Sequence, residues 1–280
     1  MTFKITHQTD YVFDSEVFLE PHYLRFRPRQ TAYLDVQDFD IEILPKPTGQ
    51  KIILDEEQNV LNFCWFEGTT DTLNIIATTL LETKEFNPFE FLIYPLHYNQ
   101  LPLQYEASHK KLLYSSLEGE FISQDLLDYG NTIIRTANFR TIPYLTLLTK
   151  QLHDDFKVEY RAVGSPLLPD ETFELKKGSC RDLSWMQIHL LRQQGIAARF
   201  VSGYYYFDME HPEYELHAWV EVFLPGTGWL GLDPSHGILT GNTHFPIASS
   251  ANSMQTMPVS GGIRGSATSK LITKLFIEKV

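Results

Sequence analysis

The sequence predicts an α+β protein in two parts. An N-terminal antiparallel β domain, sandwich-like, is expected over residues 1–104. A core of helices packed on an antiparallel sheet, ending in a strand-like tail, is expected over residues 105–280. Three observations carry this. Up to about Pro95 the chain consists of short runs rich in Val, Ile, Phe, Tyr and Thr, punctuated by Pro, Gly, Asn and Asp. Between Leu101 and Pro143 the apolar residues change to helical spacing. After Gly195 the strand pattern returns. With 280 residues, 43% hydrophobic and 13% aromatic, both parts can bury a core.

The expected strands of the first part lie in "ITHQTDYVFD", "HYLRFRPR", "YLDVQDFDIEILP", "KIILDEEQNVLNFCWFEG" and "TDTLNIIATTLLETKEF". Their spacing suits a sandwich or a strongly bent sheet. "SQDLLDYGNTIIRTA" then offers Ser123 as a helix N-cap. In "PYLTLLTKQLHDDF", Pro143 suits a first helical turn, and Leu145, Leu148, Leu152 and Phe156 fall on one face. A third helix is expected after Cys180, with Leu183, Met186 and Leu190 on one face, Trp185, Ile188 and Leu191 widening it, and Gly195 as its stop. "AARFVSGYYYF", "YELHAWVEVFL" and "GWLGLD" read as strands, the last two joined by a "PGTG" turn. The Gly/Ser/Asn-rich stretch from His236 to Ser269 reads as loop with one short strand, and "KLITKLFIEKV" as a final strand.

The net charge of −12, with no dense Lys/Arg cluster, excludes duplex nucleic acid as a partner. No run approaches the roughly 20 apolar residues that span a bilayer, and the first residues lack a signal-peptide core. A cytoplasmic protein without a membrane span is the expectation. Two cysteines are too few for a disulfide scaffold. Cys64, in an apolar β-like run, is expected as a buried free thiol.

Cys180 is different. It follows a Gly178-Ser179 pair and opens a helix, where unpaired N–H groups favour a thiolate and can hold an oxyanion. A nucleophilic thiol also needs a base and a group that orients the base. His217 sits in a strand opposite the apolar row Leu216, Ala218, Val220 and Val222. Asp233 ends the next strand, where Pro234 breaks the ladder, so the two can stand side by side. A rival arrangement is a zinc site from Cys180, His217 and His236, with His211 also nearby in sequence. It lacks the paired local spacing of strong metal motifs. No metal or other cofactor is expected.

The segment "GSCRDLSWMQIHLLRQQGIAARFVSGYY", followed by "HAWVEVFLPGTGWLGLDPS", resembles the transglutaminase-like superfamily, whose core is papain-like. The resemblance implies Cys180 as nucleophile, His217 as base and Asp233 as orienting carboxylate. "HQTDYVFDSEVFLEPHYLRFRPR" and "DEEQNVLNFCWF" resemble the bacterial branch, provisionally assigned as cysteine proteases with an N-terminal β domain. The chain departs from that pattern at "SSANSMQTM", Ser249 to Met257, so no family contact is carried over there. Three further residues are candidates to shape the cleft. Tyr160 would be a second oxyanion donor and Trp219 a wall residue. Asp182, in the first helical turn, is expected to face away from the thiol and hold the loop.

These readings imply an enzyme in which Cys180 attacks an amide carbonyl of a peptide or protein and forms a thioester. Hydrolysis is favoured. Transamidation by an amine is the alternative, and a non-catalytic binding or assembly module on the same fold is the reading from a different class.

Overall fold

The computed structural model describes residues 1–161, 163–210 and 212–280. His211 lies outside the described residues. The chain begins with β1 (Thr2–Leu19), β2 (His22–Leu24), β3 (Leu34–Leu44), β4 (Gly49–Leu54), β5 (Val60–Trp65) and β6 (Thr70–Thr83). Alternation along β1 buries Phe3, Ile5, His7 and Thr9 on one face. The β1–β6 register shifts between Val12 and Val17. Such an irregularity bends a strand and increases its twist, so β1 serves two packing layers.

Helices follow: α1 (Ala107–Leu112), α2 (Tyr114–Leu117), α3 (Gln124–Thr136), α4 (Thr141–Asp155), α5 (Pro169–Leu175) and α6 (Cys180–Gln193). Between them β7 (Lys157–Val158) and β8 (Lys177–Gly178) form a short parallel pair. Ser123 caps α3 by accepting from the Leu126 N–H at 3.3 Å. Gly195, at φ +69°, ends α6 in the left-handed conformation that costs glycine nothing. Most of α6 is buried, including Leu183, Met186, Ile188, Leu190 and Leu191. It is therefore the central helix of the core rather than a surface helix with one apolar stripe.

The second half of the chain supplies β9 (Ala198–Tyr205), β10 (His217–Leu224), β11 (Gly228–Asp233), β12 (Ile238–Leu239), β13 (His244–Ser250), β14 (Val259–Ser260), β15 (Ile263–Arg264) and β16 (Ser269–Lys279). The core sheet is antiparallel in the order β12-β11-β10-β9-β13. Helices α4 and α6 pack on it and α3 packs on those two helices, in one core that includes Ile133, Leu148, Met186, Leu190, Val220 and Leu232. The N-terminal sheets run β15-β1-β6-β3, with β16 on β1, and β14-β2-β5-β4. Phe13, Leu24, Cys64 and Ile75 fill the space between them.

The tail does not stay with the core. Strand β16 pairs along β1 from Phe3↔Lys279 to Phe13↔Ser269, and β14 joins β2. The physical reason is the open side of β1, whose backbone groups otherwise lack partners. The stretch expected as loop with one short strand holds β12, β13, β14 and β15, and every residue of β13 is buried. Phe3, Ile5, Tyr204, Phe245, Ile247 and Ile277 form the apolar layer joining β1 and β16 to the core sheet.

Candidate active site

The segment ahead of Cys180 is held from both sides. The Glu159 N–H donates to the Gly178 carbonyl at 2.8 Å, and the Lys157 N–H to the Lys176 carbonyl at 3.0 Å. Asp182, 1% exposed, gathers the rest. Its Oδ2 accepts from the Ser179 N–H and hydroxyl, both at 2.7 Å. Its Oδ1 accepts from Arg161 Nη2 at 2.5 Å and the Leu167 N–H at 2.8 Å. Burial alone would raise the Asp182 carboxyl. The N–H donors of Leu167 and Ser179 and the Arg161 charge outweigh it and lower the carboxyl below its ordinary value. A Cβ at Gly178 would stand 2.8 Å from the Asp182 Cβ, so only glycine lets this turn close. We expect Asp182→Ala to cost about 3–5 kcal/mol, because four donors lose one buried acceptor. Urea melts of the variant and the parent measure this.

Cys180 opens α6 and is partly exposed. The Asp182 and Leu183 N–H groups donate to the Ser179 carbonyl at 3.0 and 3.1 Å, which leaves those of Cys180 and Arg181 as the first-turn donors beside the thiol. The helix terminus and the Arg181 guanidinium, close enough to interact with Cys180, favour negative charge there.

His217 begins β10, and Asp233 ends β11. Antiparallel pairing of these strands, Val220↔Leu232, sets Asp233 opposite Trp219, so His217, two residues further along, is its diagonal neighbour on the same face. His217 Nε2 lies 2.7 Å from Asp233 Oδ2, which leaves Nδ1 for the thiol side. Burial would lower the His217 imidazole. The Asp233 charge and hydrogen bond, reinforced by Cys180, override this and raise it to about 10. Asp233 is 0% exposed. Burial opposes its ionisation, yet the His217 charge and three histidine hydrogen bonds hold it well below the usual carboxylate range.

Two of those three hydrogen bonds went unseen in the sequence. Asp233 Oδ2 also meets His236 Nδ1 at 2.9 Å and His244 Nε2 at 3.2 Å. Asp233 Oδ1 accepts from the Ser235 and His236 N–H groups at 2.9 and 3.3 Å. The Gly241 N–H donates to His244 Nδ1 at 3.3 Å, which fixes the neutral tautomer whose Nε2–H points at Asp233. Burial, partly offset by Asp233, lowers the His244 imidazole and keeps it neutral. Tyr205 stacks on His244 with centroids 4.3 Å apart at 29°. The donor atoms of His217, Asp233 and His236 fall within 4.8 Å of one another. Each is already engaged in the hydrogen bonds around Oδ2, and His244 completes them, so the donor set reads as a hub of imidazoles on one carboxylate.

Cys180, His217, His236 and Tyr205 line a cleft of about 1450 Å³. Its far wall comes from the N-terminal β region, with His7 and Tyr11 of β1 and Leu275 of β16. Tyr160 is on the rim and 67% exposed. Trp219, 2% exposed, packs beneath the site, edge-on to His244 at 5.4 Å, and is not on the cleft wall among the described residues. Asp182 is likewise absent from that wall and braces the loop.

Among the described residues, no helix is long and apolar enough to cross a membrane. The family described as Transglutaminase-like superfamily matches residues 136–234. The Bacterial transglutaminase-like N-terminal region matches residues 3–82. A protein-glutamine gamma-glutamyltransferase of Pseudomonas aeruginosa is 30% identical over 101 residues, covering 33% of this chain. That match spans only 15% of the Pseudomonas protein. An uncharacterized protein of Mycobacterium tuberculosis is 22% identical over 290 residues, 96% of this chain and 90% of that one. The crystal structure of a protein from Cytophaga hutchinsonii, provisionally assigned as a cysteine protease, superposes with a TM-score of 0.72 at 17% identity. It covers 100% of this chain and 91% of its own. Two family models thus match successive parts of the chain, a bacterial transglutaminase-like N-terminal region and, behind it, a transglutaminase-like superfamily core.

Proposed function

We infer that the protein is a thiol acyl-transfer enzyme that hydrolyses a peptide or amide through Cys180, His217 and Asp233. The observation that carries this reading is the buried Asp233 carboxylate behind His217, whose ring is raised to about 10 beside a helix-opening cysteine in a cleft. An imidazolium so held pairs with a thiolate at neutral pH. The thiolate attacks the substrate carbonyl, and the first-turn N–H groups of α6 receive the developing oxyanion. Tyr160, on the rim, is the candidate second donor. His217 gives its proton to the departing amine, leaving a thioester on Sγ. Water then releases the acid.

A second outcome shares every step up to the thioester. In transamidation an amine replaces water, and the likeness to a protein-glutamine gamma-glutamyltransferase over 101 residues favours it. The test is a screen of the protein against peptide amides and against glutamine donors with a primary amine, using Cys180→Ala as the blank. Release of acid supports hydrolysis, and incorporation of the amine supports transfer. Iodoacetamide should label Cys180 ahead of Cys64, whose thiol is 0% exposed and pushed up to about 11 by burial. Equal labelling of both, with no turnover above the blank, would leave a binding module as the reading.

A further inference from the structure

The cleft beside Cys180 holds about 1450 Å³, more than the roughly 300–1,000 Å³ of sites shaped for one small molecule. Strand β1 reaches it from one face, through His7, Thr9 and Tyr11. Strand β16 reaches it from both faces, through Thr273 and Leu275 on one and Lys274 and Phe276 on the other. A cavity meets both faces of a strand only where it runs along the strand's edge. The pairing agrees. Along Ser269–Lys279, β16 has β1 on one side. On the other side, among the described residues, it has a single antiparallel bridge, Leu275 to Tyr214.

The backbone groups open on that edge follow from the register. The Val280 N–H donates to the Thr2 carbonyl at 3.0 Å, and the Asp14 N–H to the Thr268 carbonyl at 3.1 Å. Every second residue of an antiparallel strand turns its N–H and C=O to the same neighbour. The even-numbered residues of β16 therefore pair with β1, and the odd-numbered ones point outward. Among the described residues, the N–H groups of Leu271 and Thr273 have no backbone partner on the outer side. The bridge shows that this edge accepts a second strand, because Tyr214 already lies antiparallel to it. At about 3.3 Å per residue, His217 is at most ~10 Å along the chain from Tyr214, and Leu271 is about 13 Å along β16 from Leu275. The open stretch thus begins within a few residues' span of the histidine beside the thiol.

We propose that the outer edge of β16 at Leu271 and Thr273 is the substrate-docking site, and that it takes an extended, unfolded stretch of polypeptide as an added strand. The proposal rests on the thioester reading above and names its substrate class: the acyl group is presented by an unstructured protein segment rather than by a small free amide. Main-chain hydrogen bonds to residues 271 and 273 supply the hold, as in other cases of strand addition to a sheet edge. Every second side chain of the docked segment lies beside Leu271, Thr273 and Leu275, on the face that lines the cleft with Tyr11. Main-chain pairing is indifferent to sequence, so any unfolded chain serves as a probe of the edge.

The experiment uses reduced, carboxymethylated lactalbumin as the unfolded probe and native lactalbumin as its control. Amide hydrogen exchange is followed in full-length Cys180→Ala, which cannot turn the probe over. The unfolded probe should slow exchange at Leu271 and Thr273 about tenfold, the worth of one main-chain hydrogen bond, and the native protein should not. Unchanged exchange overturns the proposal. So does protection that grows with enzyme concentration alone, which would make the edge a contact between two copies of the chain. Thr273→Pro gives a second measure, since it removes an outward N–H and leaves those paired with β1. Turnover of the unfolded probe, read as new amino termini or incorporated primary amine, is compared with turnover of p-nitrophenyl acetate. The ratio of the two should fall about tenfold in Thr273→Pro, with the loss in KM. An unchanged ratio overturns the proposal. If the parent forms no acyl-enzyme with the ester, the thiol reading fails, and protection of the edge still decides the docking site by itself.

Discussion

Replacing His217 by alanine should remove turnover by about 10⁴-fold or more, the scale seen when a nucleophile loses its base. The same variant should change how the thiol reacts with iodoacetamide. In the reading proposed above, the His217 imidazolium, raised to about 10, stands beside the thiol and pairs with it as thiolate. Without it, the rate should follow an ordinary thiol, whose pKa is about 8.5, and fall about 100-fold at pH 6.5. The measurement is the second-order alkylation rate from pH 5 to 10 for parent and variant. Superimposable profiles would show that no ion pair forms, and the nucleophile assignment would fail.

Changes at Asp233 should have effects of similar size, reaching both activity and stability. Asp233→Asn puts an amide where three imidazole donors converge at 2.7, 2.9 and 3.2 Å. It removes the charge that supports the imidazolium and presents a donor to donors, so turnover should fall about 10⁴-fold while the fold survives. Asp233→Ala leaves the donors without an acceptor and should cost about 3–5 kcal/mol of stability. That difference should depend on pH. His217 lies above its ordinary 6.5, so its share is fully present below 6.5 and is lost as pH rises through about 10. Asp233 lies below its ordinary 3.8, so its share is present above 3.8 and is lost as pH falls through the depressed folded value. The gap in thermal midpoint between parent and Asp233→Ala should therefore be widest between pH 3.8 and 6.5. A gap independent of pH would refute the coupling.

The cysteine, the histidine and the aspartate were legible because each sits on an element with a clear period. A capped helix start, an alternating strand and a strand ended by proline place their side chains without tertiary knowledge. His244 was not legible. Its strand β13, "HFPIASS", contains a proline and small polar residues and is buried on both faces, so neither alternation nor β-propensity marks it. His236 drew notice only as a possible ligand, because the Asp233 turn that fixes its ring follows from backbone geometry rather than from spacing. The two-part α+β architecture followed from the change of texture along the chain. The partner of the last strand did not, since alternation in β16 says which face is apolar but not which neighbour it will meet.

The pairing of β16 with β1 has a consequence for how such a protein can change. The nucleophile, base and carboxylate proposed for the chemistry lie between Cys180 and Asp233 and are supported by the core sheet and α6. The opposite side of the cleft is made by residues from the two extremes of the chain, joined along Phe3↔Lys279 to Phe13↔Ser269. The two sides are separately variable. Side chains at Thr9, Tyr11, Leu271 or Thr273 can be exchanged to favour a different acyl donor while the thiol, its imidazole and their carboxylate keep their geometry. Selection of the substrate and reactivity toward it would then evolve as independent traits, and the seam between β1 and β16 is where a designer would begin.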